Sequence, residues 1–264
     1  RLPTIPQALG KPAFQRTAKE FRRTLALLMD LLEPSVQDAE FKDDTPSILV
    51  FVRSKKIAED LAEICRELIV RYLGVGAASP DILDQPQSTY RFTQFSQIDS
   101  DVDPTTTLRL LAPTPLRQQL ASTLSSGVGF HSASLTAVGR EFVEDLFRRG
   151  VVRVLFATDT LRLGINLPTD IVINGDLVVY SGEEGPQLVD KDALLQRLGR
   201  AGRLLRSRGI GNGYFVTPQF IDDKAQYQVD TSVAKLFTGR PEARWEQIKQ
   251  AATNQDALYK AFVA

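Results

Sequence analysis

The chain has 264 residues, 43% hydrophobic and 24% charged, and its 32 lysines and arginines balance 32 aspartates and glutamates. That length accommodates one large α/β domain with appendages, while the neutral balance excludes a molecule that is basic overall, so any nucleic-acid surface must be a local patch. A single cysteine, Cys65, excludes an internal disulfide framework and reads as core packing in a reducing, intracellular setting, cytoplasmic or nuclear.

No apolar run approaches the ~18 residues of a membrane span, and the N-terminus carries no charged-then-apolar signal pattern. The first residue, Arg1 in place of Met, reads as the start of a trimmed piece of a longer protein. Phe14, Ala18, Phe21, Leu25, Leu28 and Leu32 alternate at spacings of four and three, which predicts one amphipathic helix over 14–32. It should end at Glu33-Pro34, because proline restricts its predecessor away from helix. Residues 35–46 are a polar, acidic connector. The apolar run Ser47–Val52 predicts a strand buried on both faces of a parallel sheet, and helix 55–72 follows with Ile57, Leu61, Ile64, Cys65 and Leu68 on one face.

Residues 73–112 hold Gly, Ser, Pro and scattered aromatics (Tyr90, Phe92, Phe95) without a steady period, and read as an insertion. Asp99, Asp101 and Asp103 alternate there like a calcium loop, but Pro104 and Leu110 stand where that loop needs Gly and Glu, so the calcium reading fails. Regular patterns return as helix 114–125, strand 128–131, helix 135–149 and strands 151–156 and 171–174. Then come strand 177–180, a glycine-rich turn at Ser181–Pro186 that reads as a plain surface hairpin, helix 190–200 and a late strand at Gly213–Val216. Strands alternating with helices indicate βαβ units and a mainly parallel sheet. Ligands of such sheets sit at the strands' carboxyl ends, so segments 53–54, 131–134 and 157–166 should share one edge.

The most specific stretch is Gln196–Arg203. Arg197, Arg200 and Arg203 stand three apart, separated by Gly199 and Gly202, with Arg206 and Arg208 beyond. If the segment is helical, residues three apart share a face and the guanidinium groups converge. Each is a permanently charged planar fork that matches phosphate oxygens, and glycine lets a ligand approach the backbone. The regular spacing favours a polyphosphate-stabilising device over a solvated basic face. After strand 151–156, Thr158, Asp159 and Thr160 lead into Gly164, Asn166 and Pro168. Hydroxyls and backbone N–H groups there suit phosphate-backbone contacts, although Thr-Asp is also an ordinary turn. The lone histidine, His131, follows a buried strand, where a hydrogen-bonded structural role competes with a binding one.

Taken together, these segments resemble the second RecA-like domain of superfamily 2 helicases over roughly residues 45–218. Ser47–Ser54 resembles motif IV, and Gly129–Leu135 with Arg140 resembles the family's next nucleic-acid-side segment. Phe156–Pro168 resembles motif V, and Gln196–Arg203 resembles motif VI. The form of motif V is similar to the superkiller-type (Ski-like) DExH branch, which includes RNA-exosome and DNA-repair helicases. Lys235–Glu242 resembles that branch's lead into a winged-helix domain. The implied architecture is α/β, a mainly parallel RecA-like sheet with helices on both faces. It has a helical lead-in (1–45), the RecA-like domain (46–220) with its insertion (73–112), and a C-terminal extension (221–264).

The resemblance implies site roles residue by residue. Arg200 and Arg203 would contact the γ-phosphate of ATP, Arg203 as arginine finger, and Gln196 would couple two domains around the nucleotide, with Arg197 on the cofactor side. Gly164 and Asn166 would lie near the ribose. Thr158 would sit against a nucleic-acid phosphate, and Asp159 would tie motif V to motif VI. Arg53, Ser54, His131, Ser132 and Arg140 would line the strand-tracking surface, although Ser132 stands where many relatives carry a second His. Residues 177–189 lie where the branch often inserts a strand-separating hairpin; here the segment is short.

There is no G-x-x-x-x-G-K-[ST] loop, since Gly10-Lys11-Pro12 lacks both spacing and hydroxyl, and no Asp-Glu box to hold Mg²⁺. The chain therefore reads as the C-terminal half of an ATP-dependent helicase or translocase. It would share ATP and Mg²⁺ with a partner N-terminal RecA-like domain, grip single-stranded RNA or DNA, and be inactive alone. The alternative is a non-catalytic, helicase-like binding or regulatory module.

Overall fold

The structure, a computed structural model, describes residues 12–37, 46–72, 114–161, 167, 169–181, 185–189, 191–201 and 211–216. All of them fall in one compact unit, 1–221. The strands in chain order are β1 (Ile48–Phe51), β2 (Val128–His131), β3 (Val154–Ala157), β4 (Ile171–Asn174), β5 (Val178–Ser181), β6 (Gly185–Leu188) and β7 (Asn212–Phe215). Five of them form a sheet of order β2-β3-β1-β4-β7, parallel at every pairing. β5 and β6 pair antiparallel as a separate ribbon. The helices are α1 (Pro12–Glu20), α2 (Arg22–Gln37), α3 (Lys55–Tyr72), α4 (Pro115–Leu124), α5 (Ala137–Arg148) and α6 (Lys191–Leu198). This is an α/β RecA-like fold.

The first four strands are buried along their whole length, as parallel strands covered on both faces must be. Two helix starts are fixed by threonine caps. The Thr114 hydroxyl accepts from the Arg117 N–H at 3.2 Å, and that of Thr136 from the Gly139 N–H at 3.1 Å, satisfying donors that a helix start leaves open. Gly127 and Gly150 take φ of 70° and 77° just after α4 and α5. That left-handed turn favours glycine and feeds each helix into the next strand.

The amino-terminal edge of the sheet is tied by one serine and two residues ahead of β4. Ser47 donates from its N–H and its hydroxyl to Asp170 Oδ2, both at 2.8 Å, and accepts from the Asp170 N–H at 3.0 Å. The Thr169 hydroxyl donates to the Ser47 carbonyl at 2.7 Å.

Three expectations change. The predicted helix 14–32 is two helices parted at Phe21, with the hydrogen bonds Phe21 N–H to Thr17 O (2.9 Å) and Leu25 N–H to Phe21 O (3.0 Å) bracketing the break. The second helix runs through Pro34 to Gln37, because the proline restriction is a preference and Met29 and Leu32 anchor this turn in the core. The strand predicted from Val151 begins at Val154. Phe21, Leu25, Leu28 and Leu32 of the lead-in join Ile48, Phe51 and Val172 in a single buried cluster. Residues 73–112 and 221–264 lie outside the described residues.

Candidate functional site

Register places the carboxyl ends of the five strands level. Phe51 pairs with Ala157 and Asn174, His131 with Ala157, and Asn174 with Phe215. The segments that follow β1, β2, β3 and β4 therefore leave from one edge, where a parallel sheet offers a ligand its crevice.

Arg197 dominates that edge from inside. Only 1% exposed, it donates from Nε (2.9 Å) and Nη2 (2.8 Å) to Asp159 Oδ1, and from Nη1 to the Asp176 carbonyl at 3.2 Å and Asn174 Oδ1 at 3.5 Å. Its guanidinium lies 5.1 Å from the centre of the Phe51 ring. Asp159, whose side chain is 35% exposed, thus joins the segment after β3 to α6. The α-helix ends at Leu198 and tightens, with Arg200 N–H bonded to Arg197 O at 3.1 Å and Ala201 N–H to Leu198 O at 2.9 Å. Arg197 points into the protein, and Arg200 follows it around the tightened turn. Arg200 is largely buried and Gln196 is exposed. Arg203, Gly164 and Asn166 lie outside the described residues.

Arg53 is likewise turned inward. It donates from Nη1 to Asp176 Oδ2 at 2.6 Å and from Nη2 to Glu20 Oε1, and lies 5.6 Å from the Phe21 ring centre. Burial alone would lower its pKa, but Asp176 and Glu20 outweigh burial and raise it. The next residue, Ser54, is half-buried and accepts from the Ile57 N–H at 3.3 Å, capping α3.

His131 is 1% exposed, and its Nε2 lies 2.7 Å from Glu144 Oε1. The carboxylate can only accept, so Nε2 carries the hydrogen. Burial pushes the imidazole pKa down; Glu144 opposes that shift and the Arg140 charge adds to it. Ser132 is fully buried, its hydroxyl accepting from the Ser134 N–H at 3.3 Å. His131 and Ser132 are thus buried, while Arg53 is half-buried with its guanidinium held by two carboxylates. Arg140 and Thr158 are half-buried at that edge. Arg140 donates from Nη1 to the Leu135 carbonyl at 2.9 Å, and the Thr158 N–H donates to the His131 carbonyl at 3.3 Å.

Sequence reasoning missed Asn174, Asp176, Glu20 and Glu144. Asn174-Gly175-Asp176 leaves the end of β4 as Thr158-Asp159 leaves β3, so polar residues directly after every apolar run were the available signal. Glu20 and Glu144 sit on amphipathic helices, where a glutamate looks like any solvated one. Cys65 is fully buried and burial pushes its thiol up to about 12, as a core residue requires. Among the described residues no cluster of His, Cys, Asp or Glu could hold a metal ion, and no described helix is long and apolar enough to cross a membrane.

The five-stranded parallel sheet carries an arginine turn, a Thr-Asp segment and polar strand ends on one edge of an α/β RecA-like fold. Residues 83–204 match the family described as the helicase conserved C-terminal domain. Among similar proteins, a DExH-box ATP-dependent RNA helicase of Arabidopsis thaliana is 38% identical over 42% of this chain and 9% of its own length. The ATP-dependent DNA helicase Hel308 of Thermoplasma volcanium is 29% identical over 74% of this chain and 25% of its own. DNA polymerase theta of Mus musculus is 34% identical over 61% of this chain and 6% of its own. The chain thus spans a quarter or less of the length of these relatives.

Proposed function

We propose that this chain supplies the arginine-bearing jaw of an ATP site completed by a second, N-terminal RecA-like domain, and that the whole protein is an ATP-driven helicase or translocase on single-stranded RNA or DNA, most similar to the Ski-like DExH branch. The observation that carries this reading is the Arg197–Asp159 clamp. It fixes the turn bearing Arg200 beside the segment after β3, on the sheet's ligand edge. The donor set suits an anion: an exposed amide on Gln196, the guanidinium of Arg200 one turn on, and Arg203 following in sequence. Asp159 is already bound to Arg197 and so opposes a phosphate less.

In this account Arg200 and Arg203 meet the γ-phosphate, and Gln196 helps close the two domains on the nucleotide. Arg203 acts as the finger, stabilising charge that develops in phosphoryl transfer. Gly164 and Asn166 border the ribose. Arg197 works from behind, as the anchor of the turn. Mg²⁺ would neutralise phosphate charge, and its ligands would come from the partner domain. Arg140, Thr158 and Ser54, half-buried members of the edge, contact the strand's phosphates, a positioning rather than sequence-reading role. The buried Cys65 suits an intracellular setting.

The test is steady-state ATPase of the full-length protein, stimulated by single-stranded RNA and by DNA. Arg203→Ala should lower kcat by about 10³-fold or more while nucleotide binding changes little. Undiminished turnover refutes the finger. Arg140→Ala should weaken strand binding and flatten its salt dependence by about one phosphate contact.

A further inference from the structure

The buried polar groups behind the arginine turn form one connected path that starts outside the matched domain. Glu20, the last residue of α1, holds one arm of Arg53; the other arm holds the Asp176 carboxylate. The Asp176 carbonyl in turn accepts from Arg197, whose other donors grip Asp159. Asp176 is 1% exposed, so its side chain and its carbonyl are both enclosed between two arginines. Each of those arginines lies over a buried phenylalanine, Arg53 over Phe21 and Arg197 over Phe51. The Arg197 carbonyl then accepts from the Arg200 N–H.

We infer that Glu20 and Asp176 are positioning residues for the Arg197–Arg200 turn, making the lead-in helix α1 part of the ATP-site machinery rather than an appendage. The reason is geometric. A guanidinium held by a fork of acceptors on one side and a ring on the other has few orientations left. Asp176 receives Arg53 on its carboxylate, which fixes the backbone carbonyl that orients Arg197. Arg197 is linked in turn to Arg200 by one backbone hydrogen bond within a single turn of chain. If stability were the whole role, apolar packing would serve at least as well as three largely buried ion pairs. An oriented fork is what packing cannot provide.

The consequence for catalysis rests on the proposed role of Arg200 and Arg203; the positioning itself does not. Two readouts on the full-length protein separate them. Amide hydrogen exchange reads the turn directly: Asp176→Asn and Glu20→Gln should each speed exchange at Arg200 and Ala201 by on the order of tenfold, leaving α5 amides unchanged. Steady-state ATPase reads the consequence: both variants should lower kcat by about tenfold, with KM for ATP within about twofold. A cycle pairing Glu20→Gln with Asp159→Asn should show non-additive effects on exchange. Unchanged exchange in both variants, or exchange raised equally across the whole domain, overturns the inference. Should Asp176→Asn fail to fold, Glu20→Gln, at the partly exposed end of the path, carries the test. If Arg200→Ala leaves ATPase intact while exchange responds, the ATP-site reading fails and the positioning stands.

Discussion

The two edges of the central sheet are built from different chemistry. At the amino-terminal edge, Ser47, Thr169 and Asp170 close the backbone of β1 against that of β4 with short hydrogen bonds. At the carboxyl edge, Arg53 and Arg197 reach across several strands to Glu20, Asp159 and Asp176. Both arrangements satisfy buried polar groups, but only the second sets permanently charged groups in defined orientations beside the ligand crevice. The first edge is a seam, and the second is a mounting for the turn that carries Arg200. Ion pairs are a costly way to gain stability and a good way to fix geometry, which suits the edge where chemistry is proposed.

The largest expected effect comes from breaking that mounting. Arg197→Ala strands the buried Asn174 amide oxygen and Asp176 carbonyl and empties the space over Phe51. Chemical denaturation should show a loss of about 3 kcal/mol, and stimulated ATPase of the full-length protein should vanish with it. At the opposite edge, Asp170→Ala leaves the Ser47 N–H unpaired and should cost about 1–2 kcal/mol, with kcat per folded molecule unchanged. A fall in that kcat would dissolve the distinction between the edges.

A smaller effect belongs to His131, a buried residue at the carboxyl edge outside the arginine path. Its folded pKa lies below the ordinary imidazole value of about 6.5, because burial disfavours the cation more than Glu144 favours it. Above that value both states are neutral and there is no penalty. As pH falls below it the unfolded chain takes up a proton that the folded one resists, so stability drops by at most about 1.4 kcal/mol per pH unit. His131→Gln should flatten the pH dependence of unfolding between about pH 6.5 and 5; an unaltered curve counts against this. The smallest effect is at Cys65, buried within α3. Native protein should label with a thiol reagent on the order of a hundredfold more slowly than protein in urea.

Much of this fold is visible in the chain itself. Apolar runs at 48–51, 128–131 and 171–174 are strands because a parallel strand covered on both faces needs no alternation. The helix at 55–72 declares itself by its stripe. Pro34 misled because its penalty is local, while the burial of Met29 and Leu32 that overrides it is tertiary. The edge was legible too, since parallel strands send their following segments to one side. What was hidden is which polar groups at that edge look outward. Arg53, His131 and Arg197 carry the residue types of binding groups, yet each has a carboxylate partner distant in sequence: Glu20 and Asp176, Glu144, and Asp159. Periodicity reports which face of a helix is apolar, but not which charge will be enclosed by another.

The central claim is that chemistry belongs to the carboxyl edge alone, and one paired measurement decides it. Full-length Arg200→Ala and Asp170→Ala are compared with the unaltered protein for nucleic-acid-stimulated ATPase, with kcat normalised to folded protein. Turnover should fall about 10³-fold in Arg200→Ala and not at all in Asp170→Ala. Equal losses in both, or full turnover without Arg200, would contradict it.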